Sequence, residues 1–146
     1  MSQTEEKAIA LFNSGLNCAQ SVTTAYSEKL NFDNTLALNI SCGFGGGMGR
    51  LQETCGAVTG AFMVLSIFNG QKYTENTVKK IMTYSMIQDF NSKFKARHNT
   101  TNCRALLNCD LTTEEGLRYH QENNLQKHVC ENCIRSAIQI INALID

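Results

Sequence analysis

"SCGFGGGMGRLQETCGAVTGAFMVLSIFN", Ser41 to Asn69, decides the fold class by what it contains and by what it lacks. Five of the ten glycines fall between Cys42 and Arg50. A glycine loop of this density suggests a phosphate cradle. A Walker loop, however, needs Lys and Ser/Thr directly after its last glycine, and here Arg50, Leu51 and Gln52 follow. A dinucleotide fingerprint needs a preceding strand, and no segment of useful length alternates with period two. Downstream, "AVTGAFMVLSIF" is apolar on nearly every side. It fits a buried central helix, capped by Thr54 and ending near Asn69, and is too short to span a bilayer. Gly56, Gly60 and Ala61 would let a neighbouring helix come close.

Outward from this segment the pattern stays helical. Ser2 to Glu5 has the form of a capping box, followed by Ala8, Ile9, Leu11 and Phe12, with Gly15 as a stop. Asn17 caps a second helix carrying Cys18, Val22, Ala25 and Tyr26. Asn34 caps a third, short one with Leu36, Leu38 and Ile40. Thr74 opens a long helix whose inward side is Val78, Ile81, Met82, Met86, Phe90 and Phe94. "NCRALL" makes one or two turns, and Thr112 or Thr113 opens another short helix. The last helix runs from about Leu125 to Ile145 and buries Cys130, Ile134, Ala137, Ile138, Ile141 and Leu144. The expectation is an all-α, single-domain bundle over residues 1–146. It would have about five to seven helices, with the glycine-rich loop before a buried central helix. Zero proline agrees with long helices.

Charge excludes some functions. Lys+Arg and Asp+Glu number 13 each, so no basic excess points to nucleic acid. The acidic, amphipathic N-terminus lacks the layout of a secretory signal. A soluble, cytoplasmic protein without membrane insertion is expected. Seven cysteines, an odd number, do not read as a secreted disulfide framework. In a reducing compartment such thiols bind metal, do redox chemistry or sit buried as small apolar groups.

Cys18, Cys55 and Cys103 each fall at an expected helix start, where the helix dipole favours thiolate. Cys130 and Cys133 form the one CxxC, "CENC", a weak zinc signal alone; Ile134 stands where a haem-attachment motif needs histidine. Cys42, Cys109 and Cys133 read best as buried apolar groups. The glycines suit an approach to anionic sulfur, with Gly43, Gly45, Gly46, Gly47, Gly49 and Gly56 supplying backbone N–H groups around it. Arg50 reads as an exposed or helix-capping arginine, with offsetting thiolate charge across the loop as the alternative. His98, His120 and His128 fall on polar stretches and read as solvated, with His128 a substitute ligand beside Cys130.

"NCAQSV" at 17–22, "GFGGGMGR" at 43–50, "CGAVTGA" at 55–61, "FNSKFK" at 90–95 and "CRALL" at 103–107, with a late cysteine before an apolar helix, together resemble the redox-active family named for the pattern C-GCAxxG-C-C. The resemblance covers nearly the whole chain. It implies a small helical protein with a redox or electron-transfer role. The CGAxxG motif maps onto Cys55, Gly56, Ala57 and Gly60, and the four characteristic cysteines onto Cys18, Cys55, Cys103 and Cys130, with Cys133 as the alternative to Cys130. A similar domain in split-Soret cytochromes implies an iron–sulfur cluster, and four cysteines are what a [2Fe–2S] centre requires.

Three functions stay open at this point. One is electron transfer or redox sensing through a cluster on Cys18, Cys55, Cys103 and Cys130. The second is metal-free thiol–disulfide chemistry, with Cys55 and Cys18 reacting. The third is a structural zinc site in a helical interaction module. A redox partner protein is implied by the first two. Assembly as a homo-oligomer, and whether the chain is an enzyme, are left open by the sequence.

Overall fold

The computed structural model describes residues 1–146 and is helical apart from turns and one isolated bridge. Eight right-handed helices follow in order: α1 (Gln3–Asn13), α2 (Cys18–Ala25), α3 (Asn34–Ser41), α4 (Gly56–Lys72), α5 (Asn76–His98), α6 (Cys103–Leu107), α7 (Glu114–Glu122) and α8 (Glu131–Ile145). The "CRALL" turn is thus a helix of its own, which brings the count to eight.

Local chemistry sets the helix starts. The Ser2 hydroxyl accepts from the Glu5 amide at 3.1 Å. Asn17 and Gln20 cap α2 reciprocally, at 2.9 and 3.1 Å. Asp33, one residue before the expected Asn34, caps α3 through its carboxylate. Glu75 rather than Thr74 precedes α5. Thr54 does not cap α4, because its backbone pairs with Asn102; Cys55 takes the cap position instead.

The apolar α4 is the centre, packed against α2, α5 and α8, while α1 closes over α2 and α8. Val58, Ala61, Val64 and Leu65 of α4 meet Val22 and Tyr26 of α2, Phe90 and Phe94 of α5, and Ile134, Ile138 and Ile141 of α8 in one core. The Tyr26 hydroxyl, buried among them, donates to Asn142 Oδ1 at 2.7 Å. Burial without an unpaired polar atom is what makes a core tyrosine tolerable.

Two helices present other faces than expected. Ile81 on α5 is 61% exposed, and Leu36 and Ile40 on α3 are 56% and 55% exposed. The first half of α5 runs past the core. α3 buries Ala37 and Ser41 instead, small side chains four apart that let it lie close on α2. No helix is long and apolar enough to cross a membrane.

The α2–α4 crossing depends on Gly60. A Cβ there would stand 2.9 Å from the Ala19 carbonyl oxygen and 3.2 Å from the Val22 Cβ. Gly60→Ala is expected to lower stability by roughly 1–3 kcal/mol despite alanine's better helix propensity. A midpoint shift in urea denaturation measures this; an unchanged or raised midpoint would contradict the packing account.

Candidate functional site

The glycine loop is a left-handed turn. Gly46, Gly47, Met48, Gly49 and Arg50 have φ of 65°, 69°, 66°, 62° and 63°. Each non-glycine residue so held costs about 1–2 kcal/mol, so Met48 and Arg50 are strained and need support from their surroundings. That support includes Arg50 N to Gly45 O at 3.2 Å, Gln52 N to Gly46 O at 3.1 Å and Glu53 N to Gly47 O at 2.9 Å. At Gly47 a Cβ would meet the Cys103 Cβ at 2.6 Å, the Gln52 Cα at 2.7 Å and the Glu53 nitrogen at 2.8 Å. The loop therefore lies directly on Cys103. Asn17 holds its near end: while Oδ1 caps α2, Nδ2 donates to the Cys42 carbonyl at 2.9 Å.

After the turn, residues 53–55 pair antiparallel with 101–103. Cys55 N donates to Thr101 O at 2.7 Å, and Cys103 N to Glu53 O at 2.6 Å. This short pairing carries Cys55 and Cys103 to the same place from chain positions far apart. Gln52 fixes the outer side. It is buried, donates through Nε2 to the Cys109 carbonyl at 2.9 Å and accepts the Leu111 amide at 2.8 Å.

The result is a cavity of about 390 Å³ lined by Cys18, Cys55, Cys103, Cys130 and Cys133, with Cys42 at its edge. Cys55, Cys103 and Cys133 are buried, Cys18 and Cys130 half-buried, and Cys42 exposed. Gly45, Gly46, Gly47, Gly49 and Gly56 line it too; Gly43 does not, and faces open space. Cys109 lies outside. So does His128, which is exposed, whereas His120 reaches the wall. His98 is half-buried: its ring packs on Phe94 and its Nε2 meets Ser136 Oγ at 2.8 Å.

The thiols fall into neighbouring pairs. Cys18 is pushed above the ordinary thiol range, first by the Cys130 thiol beside it and then by burial. Cys55 and Cys133 form the second pair and diverge. Cys55 is lowered, first by the Cys133 thiol and further by the backbone amides of Ala57 and Val58, against the effect of burial. Cys133 is raised, first by Cys55 and then by burial. Burial, with Cys55 and Cys130 nearby, pushes Cys103 up to about 12, while Gln52 acts in the opposite sense. The amides that favour a Cys55 thiolate thus come from the first turn of α4, rather than from the glycine loop as the sequence suggested.

Cys133, which the sequence offered only as an alternative to Cys130, lines the cavity together with it. It reads as an apolar core position of α8, yet it faces Cys55. A π turn over Gln126–Cys130 interrupts the helix expected from Leu125. Such a widened turn shifts the register of the helix beyond it, and π turns recur at functional sites. Gln52 had no signal beyond its place after the loop.

The model of the family described as "Putative redox-active protein (C_GCAxxG_C_C)" matches residues 16–144, which takes in every cysteine and glycine of this cavity. The chain belongs to this family. The C_GCAxxG_C_C signature reads here as Cys55-Gly56-Ala57-Val58-Thr59-Gly60, with the first glycine after the cysteine. That glycine is packed tightly: a Cβ on Gly56 would sit 3.1 Å from both the Ala19 nitrogen and the Phe44 oxygen and 3.2 Å from the Cys18 Cβ. A protein of Archaeoglobus fulgidus described as "Uncharacterized protein" is 26% identical over 144 residues, covering 93% of this chain and 89% of that one. No solved structure matches.

As they stand, no three His, Cys, Asp or Glu side chains are grouped to hold a single metal ion. The five sulfur donors instead occur as the pairs Cys18/Cys130 and Cys55/Cys133 with Cys103 adjoining. A two-iron cluster takes two thiolates per iron, so this paired donor set fits it, and four such thiolates also meet the needs of tetrahedral zinc.

Proposed function

We propose that this chain is an electron-transfer or redox-sensing protein whose thiol cavity holds a [2Fe–2S] cluster. The supporting observation is five cysteines from four segments of the chain lining one cavity in two adjoining pairs. When bound, the cluster would supply one-electron chemistry. The chain's own residues supply the rest. Cys18 with Cys130, and Cys55 with Cys133, are the thiolates that would hold it, and Cys103 adjoins them as the fifth thiol. Ala57 and Val58 amides stabilise negative charge on Cys55. Phe12, Leu106 and Leu107 keep the cavity wall apolar. Burial and hydrogen bonds to sulfur are the levers that tune such a centre's potential.

Anaerobically purified protein is expected to be coloured in the visible. Cys133→Ser should bleach it, and Cys103→Ser should leave most of the absorption. The reverse pattern would return the ligand set to Cys18, Cys55, Cys103 and Cys130. Absorption absent from the unchanged protein would count against the cluster.

One observation favours a second reading. Cys55 lowered beside Cys133 raised is the asymmetry of a nucleophile with its resolving thiol. In that chemistry the Cys55 thiolate attacks an incoming small disulfide and one thiolate leaves. Cys133 then attacks the Cys55 sulfur and releases the second. The Cys55–Cys133 pair gives up two electrons and two protons, and the incoming disulfide becomes two thiols. Burial of both thiols restricts this to small substrates.

A further inference from the structure

The thiol cavity has a second chemical feature at its edge. Arg50 ends the left-handed turn and its stem lies over Gly46, where an added Cβ would stand 2.7 Å from the Arg50 Cγ. The turn therefore directs this side chain along the cavity wall, which it lines. Its guanidinium has no carboxylate partner: the ion pairs of the chain join Lys7–Glu28, Lys29–Asp146, Lys93–Asp89, Arg104–Asp110, Arg135–Glu5 and Arg135–Glu131. His120, on α7, is held below the ordinary imidazole range first by burial and then by the nearby Arg50 charge. The same cavity is lined by the apolar Leu111, Leu117 and Val129. The volume, about 390 Å³, falls within the usual range for small-molecule sites.

We propose that the cavity binds a small organic anion, with a carboxylate held by Arg50 and an apolar body lying along Leu111, Leu117 and Val129 toward the thiols. An unpaired guanidinium presents a planar fork that suits a carboxylate and carries a low desolvation cost. The loop's strain acquires a use: a left-handed backbone at Arg50 aims the fork where an ordinary turn would not. As the molecule delivered to the thiols, such an anion rests on the redox reading of the site, but its binding requires no electron transfer.

The test uses hexanoate and its neutral analogue hexanamide as probes, titrated into the full chain and followed by methyl NMR. Hexanoate is expected to shift the Leu111, Leu117 and Val129 signals and to bind about tenfold tighter than hexanamide. Arg50→Gln should abolish that preference. Arg50→Lys, which keeps the charge without the fork, should retain part of it. Lys80→Gln removes the same charge from an exposed site on α5 and should leave the preference intact. Unmoved cavity methyls, or an equal preference in Arg50→Gln, would overturn the proposal. Signals from the α4–α5–α8 core report whether each variant is folded. Because the readout is binding, a failure here is separate from any failure of the redox reading, which iron and thiol analysis decide.

Discussion

Cys55→Ser is expected to leave anaerobically purified protein with about a tenth or less of the iron held by the unchanged chain. Cys55, like Cys130, neighbours several of the cavity thiols: its charge acts on Cys18, Cys103 and Cys133. Serine offers a much harder oxygen ligand that stays protonated where a thiol would ionise. The fold should tolerate the change well. Cys55 holds the N-cap of α4 without a side-chain cap bond, and serine is a preferred residue there. Loss of iron with an equal or raised urea midpoint would therefore locate the effect at the ligand. Cys42→Ser, at the exposed edge, should keep the iron. Iron retained in Cys55→Ser would remove Cys55 from the ligand set.

Gly47→Ala should be the most damaging small substitution in the loop, costing roughly 2–5 kcal/mol from backbone strain and overpacking together. Its Cβ would meet the Cys103 Cβ and two backbone atoms of residues 52 and 53, none of which swings aside as a flexible side chain does. Gly49 isolates the strain component. It has φ of 62°, yet the nearest atom to its Cβ position is the Gly43 oxygen at 3.6 Å. Gly49→Ala should therefore lose only about 1–2 kcal/mol. Equilibrium urea denaturation of both variants separates the two costs. Equal losses would mean that Gly47 does not pack on the Cys103 segment.

The helical class was legible because periodicity is local. Val22 and Tyr26 of α2, or Ile134, Ile138 and Ile141 of α8, repeat on one face whatever lies opposite. The central place of α4 was legible from apolar residues on every side. Caps were legible to within a residue, since Asn17, Asn102 and Thr113 act on amides two or three positions away. Long-range backbone pairing was not. Thr54 looks like a cap and is instead bound to Asn102, which moves the start of α4 onto Cys55. Cys133 was legible only as an alternative to Cys130, because it sits one turn before Ala137 on the apolar face of α8 and reads equally well as core. The loop's dense glycine signalled close approach, and the approach is real. Its targets are Asn17, Cys103 and the chain at Gln52, where the sequence suggested amides directed at sulfur.

Iron and acid-labile sulfide, measured in the unchanged protein isolated without air, test the cluster most directly. Two of each per chain are expected, with the cavity thiols protected from alkylation until the iron is removed. A metal-free protein whose cavity thiols all titrate freely would contradict the cluster and leave disulfide exchange at Cys55 and Cys133 as the surviving chemistry.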